Sequence, residues 1–437
     1  MKFPLAIGTR AQREPGGDPA VAEQHRSWRG RMRRSHSILA AGALVAGALG
    51  VGALVVASPS KSPTPIGARA ASMETAFPLH THRGYIVDAA GRRVTLTGVN
   101  WFGFETSTFA PDGLYTRNYI SMLNQMVASG FNTIRLPYSN ALFRPGHTPN
   151  INYMANPGLK GLTGLALMDK IIGAATSRGL MVILDQHRPD QYGQSDLPNT
   201  GTLSEQQWIS DWVMLAKHYR NNPLVIGADL HNEPHGEATW GTGNPQTDWR
   251  LMAEEAGDAI LKVNPHWLIF VEGIDHYKDQ YYWWGGDLAA AKRYPVRLSV
   301  PNQLVYEAHD YGPGVSNQDW FQAKNFPANL PGIWERSWAY LKDQGIAPVL
   351  LGEFGGQSMG NDTEGTWQRT LISFLKQHGI SYTYWCWNPN SGDTGGILNY
   401  NWQTVNNSKL SELRTYQSPL LNGHRLTEVA GLAQGRR

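Results

Sequence analysis

Eight short runs rich in β-branched and other apolar residues recur along this chain, most of them separated by a stretch with helical periodicity. That alternation restricts the fold more than any other feature. The runs are Val94 to Val99, Thr133 to Leu136, Met181 to Asp185, Val225 to Leu230, Leu268 to Glu272, Leu304 to Glu307, Val349 to Leu351 and Tyr382 to Trp385. Strands separated by helices pair in parallel rather than as hairpins. Between them, Ile120, Leu123, Met126 and Val127 recur at helical spacing before Gly130, and Leu165, Met168, Ile171, Ile172 and Ala175 do so before Gly179. Each helical pattern stops at a glycine, and a strand follows. Ser204 and Gln207 have the spacing of a capping box, opening a helix whose Trp208, Trp212, Leu215 and Tyr219 share a face. Eight such units close most simply into a (β/α)8 TIM barrel of the α/β class, as a single domain. The rival is a doubly wound open sheet, and no Gly-rich phosphate loop follows the first run to favour it.

The chain ahead of the barrel reads differently. Arg26, Arg29, Arg31, Arg33 and Arg34 precede an uninterrupted apolar stretch from Ile38 to Ala57, the pattern of an export signal or an anchor. Val55 and Ala57 offer a cleavage site before Ser58, and Arg33-Arg34 admits twin-arginine export. We therefore expect residues 1–57 to be a basic region with a signal peptide or anchor and residues 58–72 a Pro/Ser-rich linker. Residues 73–416 would be the barrel and 417–437 a C-terminal tail. The expected location is secreted or periplasmic, with membrane association only if the apolar segment is retained. The formal charge of +3 is misleading, because the first 37 residues hold eight basic and three acidic side chains and leave the remainder acidic. No nucleic-acid partner fits that balance. The one cysteine, Cys386, excludes an internal disulfide framework and a Cys-based zinc cluster.

Polar or aromatic residues stand at or just past the ends of several runs: Arg135, His187, Asn232-Glu233, His309, Tyr311, Glu353 and Trp385. In a parallel barrel such ends converge on one rim. Two carboxylates across a barrel mouth suit glycoside hydrolysis, whose oxocarbenium-like transition state needs a proton on one side and negative charge on the other. The abundance of Trp (16) and Tyr (18) over Phe (12) suits surfaces that grip amphipathic sugars.

Asn232-Glu233-Pro234 and Glu353-Phe354-Gly355 resemble the two catalytic signatures of the glycoside hydrolase family 5 cellulases. Around them stand TGVNWFGFE (97–105), NTIRLPY (132–138), DQHRP (185–189), LHNEPH (230–235), YWWGG (282–286), AHDY (308–311), LGEFG (351–355) and WCWNPNSGDTGG (385–396), in family order. The resemblance covers residues 77 to 416 and implies a retaining endo-β-1,4-glucanase acting on β-glucan or cello-oligosaccharide. It implies Glu233 as acid/base, Glu353 as nucleophile and Asn232 as the residue binding the sugar 2-hydroxyl. It further implies Arg135 and Tyr311 holding Glu353, His187 and His309 bonding the sugar next to cleavage, and Trp385 as stacking floor. Tyr115, Trp284 and Trp240 would line further subsites. No cofactor and no metal is expected, and the enzyme is expected to be a monomer. Hydrolysis of another β-glycan, such as mannan or xyloglucan, and non-catalytic carbohydrate binding are the alternatives.

Several residues have blander readings. His231 and His235 flank Glu233 as in a zinc motif, but Pro234 blocks the helix that would bring both to one metal. Trp283 and Trp387 fit core packing as well as a cleft. Cys386, alternating with two tryptophans, should point into the barrel wall as an inert thiol. Glu272 is expected on the rim, holding a loop or a sugar hydroxyl.

Overall fold

Alternate residues of a strand face opposite sides, so in a closed barrel every second side chain must be accommodated inside. The computed structural model describes residues 75–418. The expected export segment, linker and nearly all of the tail lie outside the described residues. A hairpin of β1 (His80–His82) and β2 (Tyr85–Val87) comes first. Then follow β3 (Thr97–Asn100), β4 (Thr133–Ser139), β5 (Met181–Arg188), β6 (Val225–Asp229), β7 (Leu268–Glu272), a small hairpin of β8 (His276–Tyr277) and β9 (Gln280–Tyr281), β10 (Leu304–His309), β11 (Val349–Glu353) and β12 (Ser381–Tyr384). Strands β3 to β7 and β10 to β12 form a closed barrel in chain order, with β12 pairing back to β3 and every neighbour parallel. All eight expected runs are its strands, which makes the fold a (β/α)8 barrel.

The helices between the strands form where the pattern places them. Helix α1 (Tyr119–Ala128) is capped by Asn118, whose side chain accepts from the backbone of Ile120 and Ser121. It ends before Gly130, which takes the positive φ of +96°. Helix α2 (Gly164–Thr176) buries Leu167, Met168, Ile171, Ile172 and Ala175. Helix α3 (Glu205–His218) starts at Ser204, whose hydroxyl accepts from Gln207 N. Only half of the expected capping box forms, because the Gln207 amide turns to Asp211 instead. Helix α4 (Trp249–Val263) precedes β7, and α5 (Leu330–Trp334) runs through a π turn (Glu335–Ala339) into α6 (Tyr340–Asp343). Helix α7 (Thr363–His378) leads to β12, and α8 (Asn407–Leu413) closes the circuit.

Two apolar regions result. The larger lies between strands and helices. The smaller joins Met181, Ile183, Leu268, Phe270, Val305 and Leu350 from the lower strand positions with Leu79 and Ile86, so the N-terminal hairpin stoppers the bottom of the barrel. Going up by twos from this plug changes the chemistry abruptly. Met181 and Ile183 lead to Asp185 and His187, Leu268 and Phe270 to Glu272, and Val305 to Glu307 and His309, all buried. The interior is therefore layered: apolar at the base, carboxylic in the middle, and polar at the carboxyl ends of the strands, where a barrel of this type builds its site.

Candidate active site

Arg135 organises the site. Its strand continues to Ser139, so it lies inside the barrel as the third residue of β4 and not at a strand end as the sequence had suggested. Fully buried, its guanidinium makes ion contacts of 2.6–3.1 Å with Asp185, Asp229, Glu272, Glu307 and Glu353. Asn100 accepts from its Nη1 at 3.0 Å and Asn232 Oδ1 from its Nη2 at 2.9 Å. These bonds hold Asn232 with its own Nδ2 buried and without a protein acceptor.

Glu353 ends β11. It accepts from Arg135 Nη1 at 2.7 Å and from the Tyr311 hydroxyl at 2.6 Å. Glu233 follows β6 at a left-handed φ of +52°, an unfavourable conformation for a side chain with a Cβ. Its backbone N–H donates to Glu272 Oε2 at 2.8 Å, which holds that turn, and its Oε2 accepts from Gln194 Nε2 at 2.8 Å. One oxygen of Glu233 and one of Glu353 lie within 4.8 Å of each other. Oxygens this close agree with the closely paired carboxyls of a retaining glycosidase rather than the wider pair of an inverting one.

Burial raises the pKa of both carboxyls, Glu353 to about 7, because a charge so little exposed to solvent is costly. The Arg135 guanidinium and the Tyr311 hydroxyl work against burial at Glu353, whereas Glu233 has a neutral amide as its hydrogen-bond donor at Oε2. The donors are therefore unequal: a guanidinium and a hydroxyl at Glu353, an amide at Glu233 Oε2. His187 Nδ1 is 4.0 Å from Glu353 Oε1, and the Trp385 ring is stacked on His187 and on Phe102, each at 5.4 Å and 10°. His187 Nδ1 is 2.7 Å from Asp185 Oδ2.

Residues 87–391 match the cellulase family, glycosyl hydrolase family 5. The chain belongs to that family. This cellulase is 50% identical over 372 residues to an endoglucanase of Paenibacillus polymyxa, covering 84% of this chain and 93% of that one. It is 45% identical to the major extracellular endoglucanase of Xanthomonas campestris pv. campestris, over 76% of this chain and 69% of the relative. Among solved structures, a cellotetraose complex of the endocellulase of Pyrococcus horikoshii superposes with a TM-score of 0.74 at 42% identity, over 79% of this chain and all of that one.

The structure corrects several expectations about the cellulase site. Trp240 is only 2% exposed, packs on Tyr306 and gives its indole N–H to Tyr294 O, so it belongs to the core and not to the cleft. His309, expected to reach the sugar, is fully buried, with Nδ1 3.0 Å from Glu233 Oε1 and 3.7 Å from Glu353 Oε2. Both of its nitrogens face carboxyls, Nδ1 those of Glu233 and Glu353 and Nε2 those of Glu272 and Glu307, so it addresses acids and not a sugar. Glu272 is likewise interior, not rim. Strand β12 ends at Tyr384, so the strand alternation expected for Trp385 to Trp387 does not apply. Cys386 is nonetheless buried, with Sγ directed to Asn388 O.

Trp283 and Trp387 are core residues. Trp284 is 45% exposed and stacked on His235 at 3.7 Å. Tyr115 is half-buried, edge-on to Trp402. His231 bonds Gln186 and Ser195 O, and His235 bonds Glu233 O, so both tie the rim together. Gln194 was missed, since a glutamine in a long loop carries no signal in one sequence. Among the described residues, three triads inside the barrel have ligand atoms within 4.8 Å of one another: Asp185–His187–Glu353, Glu233–His309–Glu353 and Glu272–Glu307–His309. Each includes a carboxylate already in contact with the Arg135 cation, which disfavours a second cation beside it.

Proposed function

We infer that Glu233 and Glu353 are the two catalytic groups of a retaining endo-β-1,4-glucanase working by double displacement. The observation that carries this reading is the close approach of two carboxyls with unequal donors. Glu353, ionised between Arg135 and Tyr311, attacks the anomeric carbon while Glu233 protonates the leaving oxygen. Glu233, now a carboxylate, then takes a proton from the water that opens the glycosyl-enzyme. Asn232, its Nδ2 unpartnered, is suited to donate to the 2-hydroxyl. Trp385 serves as the stacking floor, with His187 beside it, and Trp284 and Tyr115 line the cleft further out.

Cutting internal bonds of soluble cellulose lowers its viscosity long before many ends appear. Carboxymethylcellulose treated with this enzyme is expected to lose viscosity steeply at low reducing-sugar release, and mannan to release little. Proportional loss of viscosity and release of ends, or a preference for mannan, would reject the reading.

We also propose that residues 1–57 direct export, that 58–72 form a linker and that the barrel works outside the cytoplasm as a monomer. The basic run and apolar stretch support this, as does the extracellular description of the Xanthomonas relative. Retention of the apolar segment would instead tether the enzyme to the membrane, and the N-terminal sequence of the exported protein distinguishes the two.

A further inference from the structure

Double displacement needs two carboxylates, yet this barrel buries four more beneath them. Arg135 is in ion contact with Asp185, Asp229, Glu272, Glu307 and Glu353 at once. One cation cannot balance five anions in a space closed to solvent, so protons must reside among them.

The donors around each carboxyl indicate which one keeps its proton. Asp229 accepts from Arg135 Nε at 2.8 Å, and Asp185 faces Arg135 Nη1 and His187. Glu272 accepts from Arg135 Nη2 at 3.1 Å and from the backbone of Glu233. Glu307 accepts from nothing: its Oε1 lies 3.1 Å from Arg135 Nε, but that N–H is turned to Asp229, and both Glu307 oxygens are buried without a hydrogen-bond partner. Burial first, and the Asp229 charge next, push its pKa far above the carboxylate range. Glycine makes the room, since a Cβ on Gly352 would overlap Glu307 Oε1 and one on Gly285 would overlap Glu272 Oε2.

His309 stands between this layer and the catalytic pair. Its Nε2 lies 3.4 Å from Glu272 and 3.6 Å from Glu307, without a hydrogen-bond partner, and its Nδ1 is 3.0 Å from Glu233 Oε1. Burial lowers its pKa to about 3, so the ring is neutral and carries one N–H. With that proton on Nε2, the Nδ1 lone pair would trap the Glu233 proton on Oε1 in a buried contact. With it on Nδ1, the ring donates to Oε1 whether Glu233 is acid or carboxylate, and the acid proton is left on Oε2.

We propose that Glu307 is a neutral acid that donates to His309 Nε2, fixes the Nδ1–H tautomer and so keeps the catalytic proton of Glu233 on Oε2. A shift of a few tenths of an ångström brings the two unpartnered groups into bonding range. Glu307 is then a positioning residue for the reaction, and the proposal rests on Glu233 being the acid/base.

Nitrogen-15 NMR of the histidine-labelled full chain, with His309 assigned by its absence in His309→Gln, reads the tautomer directly. The wild type and Glu307→Gln, whose amide still donates to Nε2, are expected to show Nδ1–H. Glu307→Leu should show Nε2–H and lose about tenfold or more in kcat on carboxymethylcellulose at little change in KM, against a loss within about threefold for Glu307→Gln. An Nε2–H tautomer in the wild type or in Glu307→Gln overturns the proposal, as does equal impairment of the Gln and Leu variants. Should the Leu variant not fold, the other two spectra still decide. Full activity in Glu233→Gln would instead remove the acid/base assignment itself, while leaving the measured tautomer unchanged.

Discussion

Glu353→Gln is expected to abolish turnover, lowering kcat on soluble cellulose by about four orders of magnitude or more, because an amide cannot form and release the glycosyl ester. The substitution is isosteric, and the neighbouring groups can tolerate it. Arg135 Nη1 keeps an acceptor if the amide oxygen replaces Oε1, and the Tyr311 hydroxyl can rotate to accept from the amide nitrogen at the Oε2 position. The variant should therefore fold and bind cello-oligosaccharide about as tightly as the wild type. It should also lose little stability, since it removes one of five carboxylates competing for a single cation. Kinetics, calorimetric titration with cellotetraose and a thermal melt make the comparison. A variant that turns over at the wild-type rate would end the nucleophile assignment. One that is inactive only because it has unfolded would show in the melt.

The parts of this architecture that follow from local rules were legible in the sequence. Strands such as Leu268 to Glu272 and helix stops such as Gly130 and Gly179 depend on periodicity and backbone freedom, which are properties of short segments. The two glutamates were legible because each follows or ends an apolar strand within a long run of family motifs. What could not be read was depth. Arg135, Glu272 and Glu307 each look like a polar terminus of a short apolar run, and the sequence does not say whether a strand stops there or continues. In the barrel, the parity of β7 and β10 turns Glu272 and Glu307 inward, directly above Phe270 and Val305. Several acids and one arginine embedded in neighbouring strands with apolar neighbours were the available signal, since buried charges must find one another. Trp240 was misread for a related reason: a loop tryptophan looks the same whether its ring faces a ligand or Tyr306.

Arg135→Met is expected to have the second largest effect, and it separates the structural role of the guanidinium from its role at Glu353. Removing the cation leaves Asp185, Asp229, Glu272, Glu307 and Glu353 facing one another with no positive partner, and breaking a buried ion pair in this way costs about 3–5 kcal/mol. The loss should depend on pH in a definite direction. Burial already raises these five carboxyls above their ordinary values of 3.8 for Asp and 4.5 for Glu, to about 6 for Asp229 and about 7 for Asp185 and Glu353, even with Arg135 pulling them down. Without Arg135 they rise further, so the folded variant binds more protons than the unfolded chain over a wider range. A group of this kind favours folding most below its unfolded pKa and loses that advantage as pH climbs through the folded one. The deficit against the wild type should therefore be largest above neutrality and shrink toward pH 4.5, where protons replace the missing cation. Paired melts of both proteins across that range test this. A deficit that stays constant with pH would mean that Arg135 acts by packing alone, and the layered-acid account of the barrel interior would have to be abandoned.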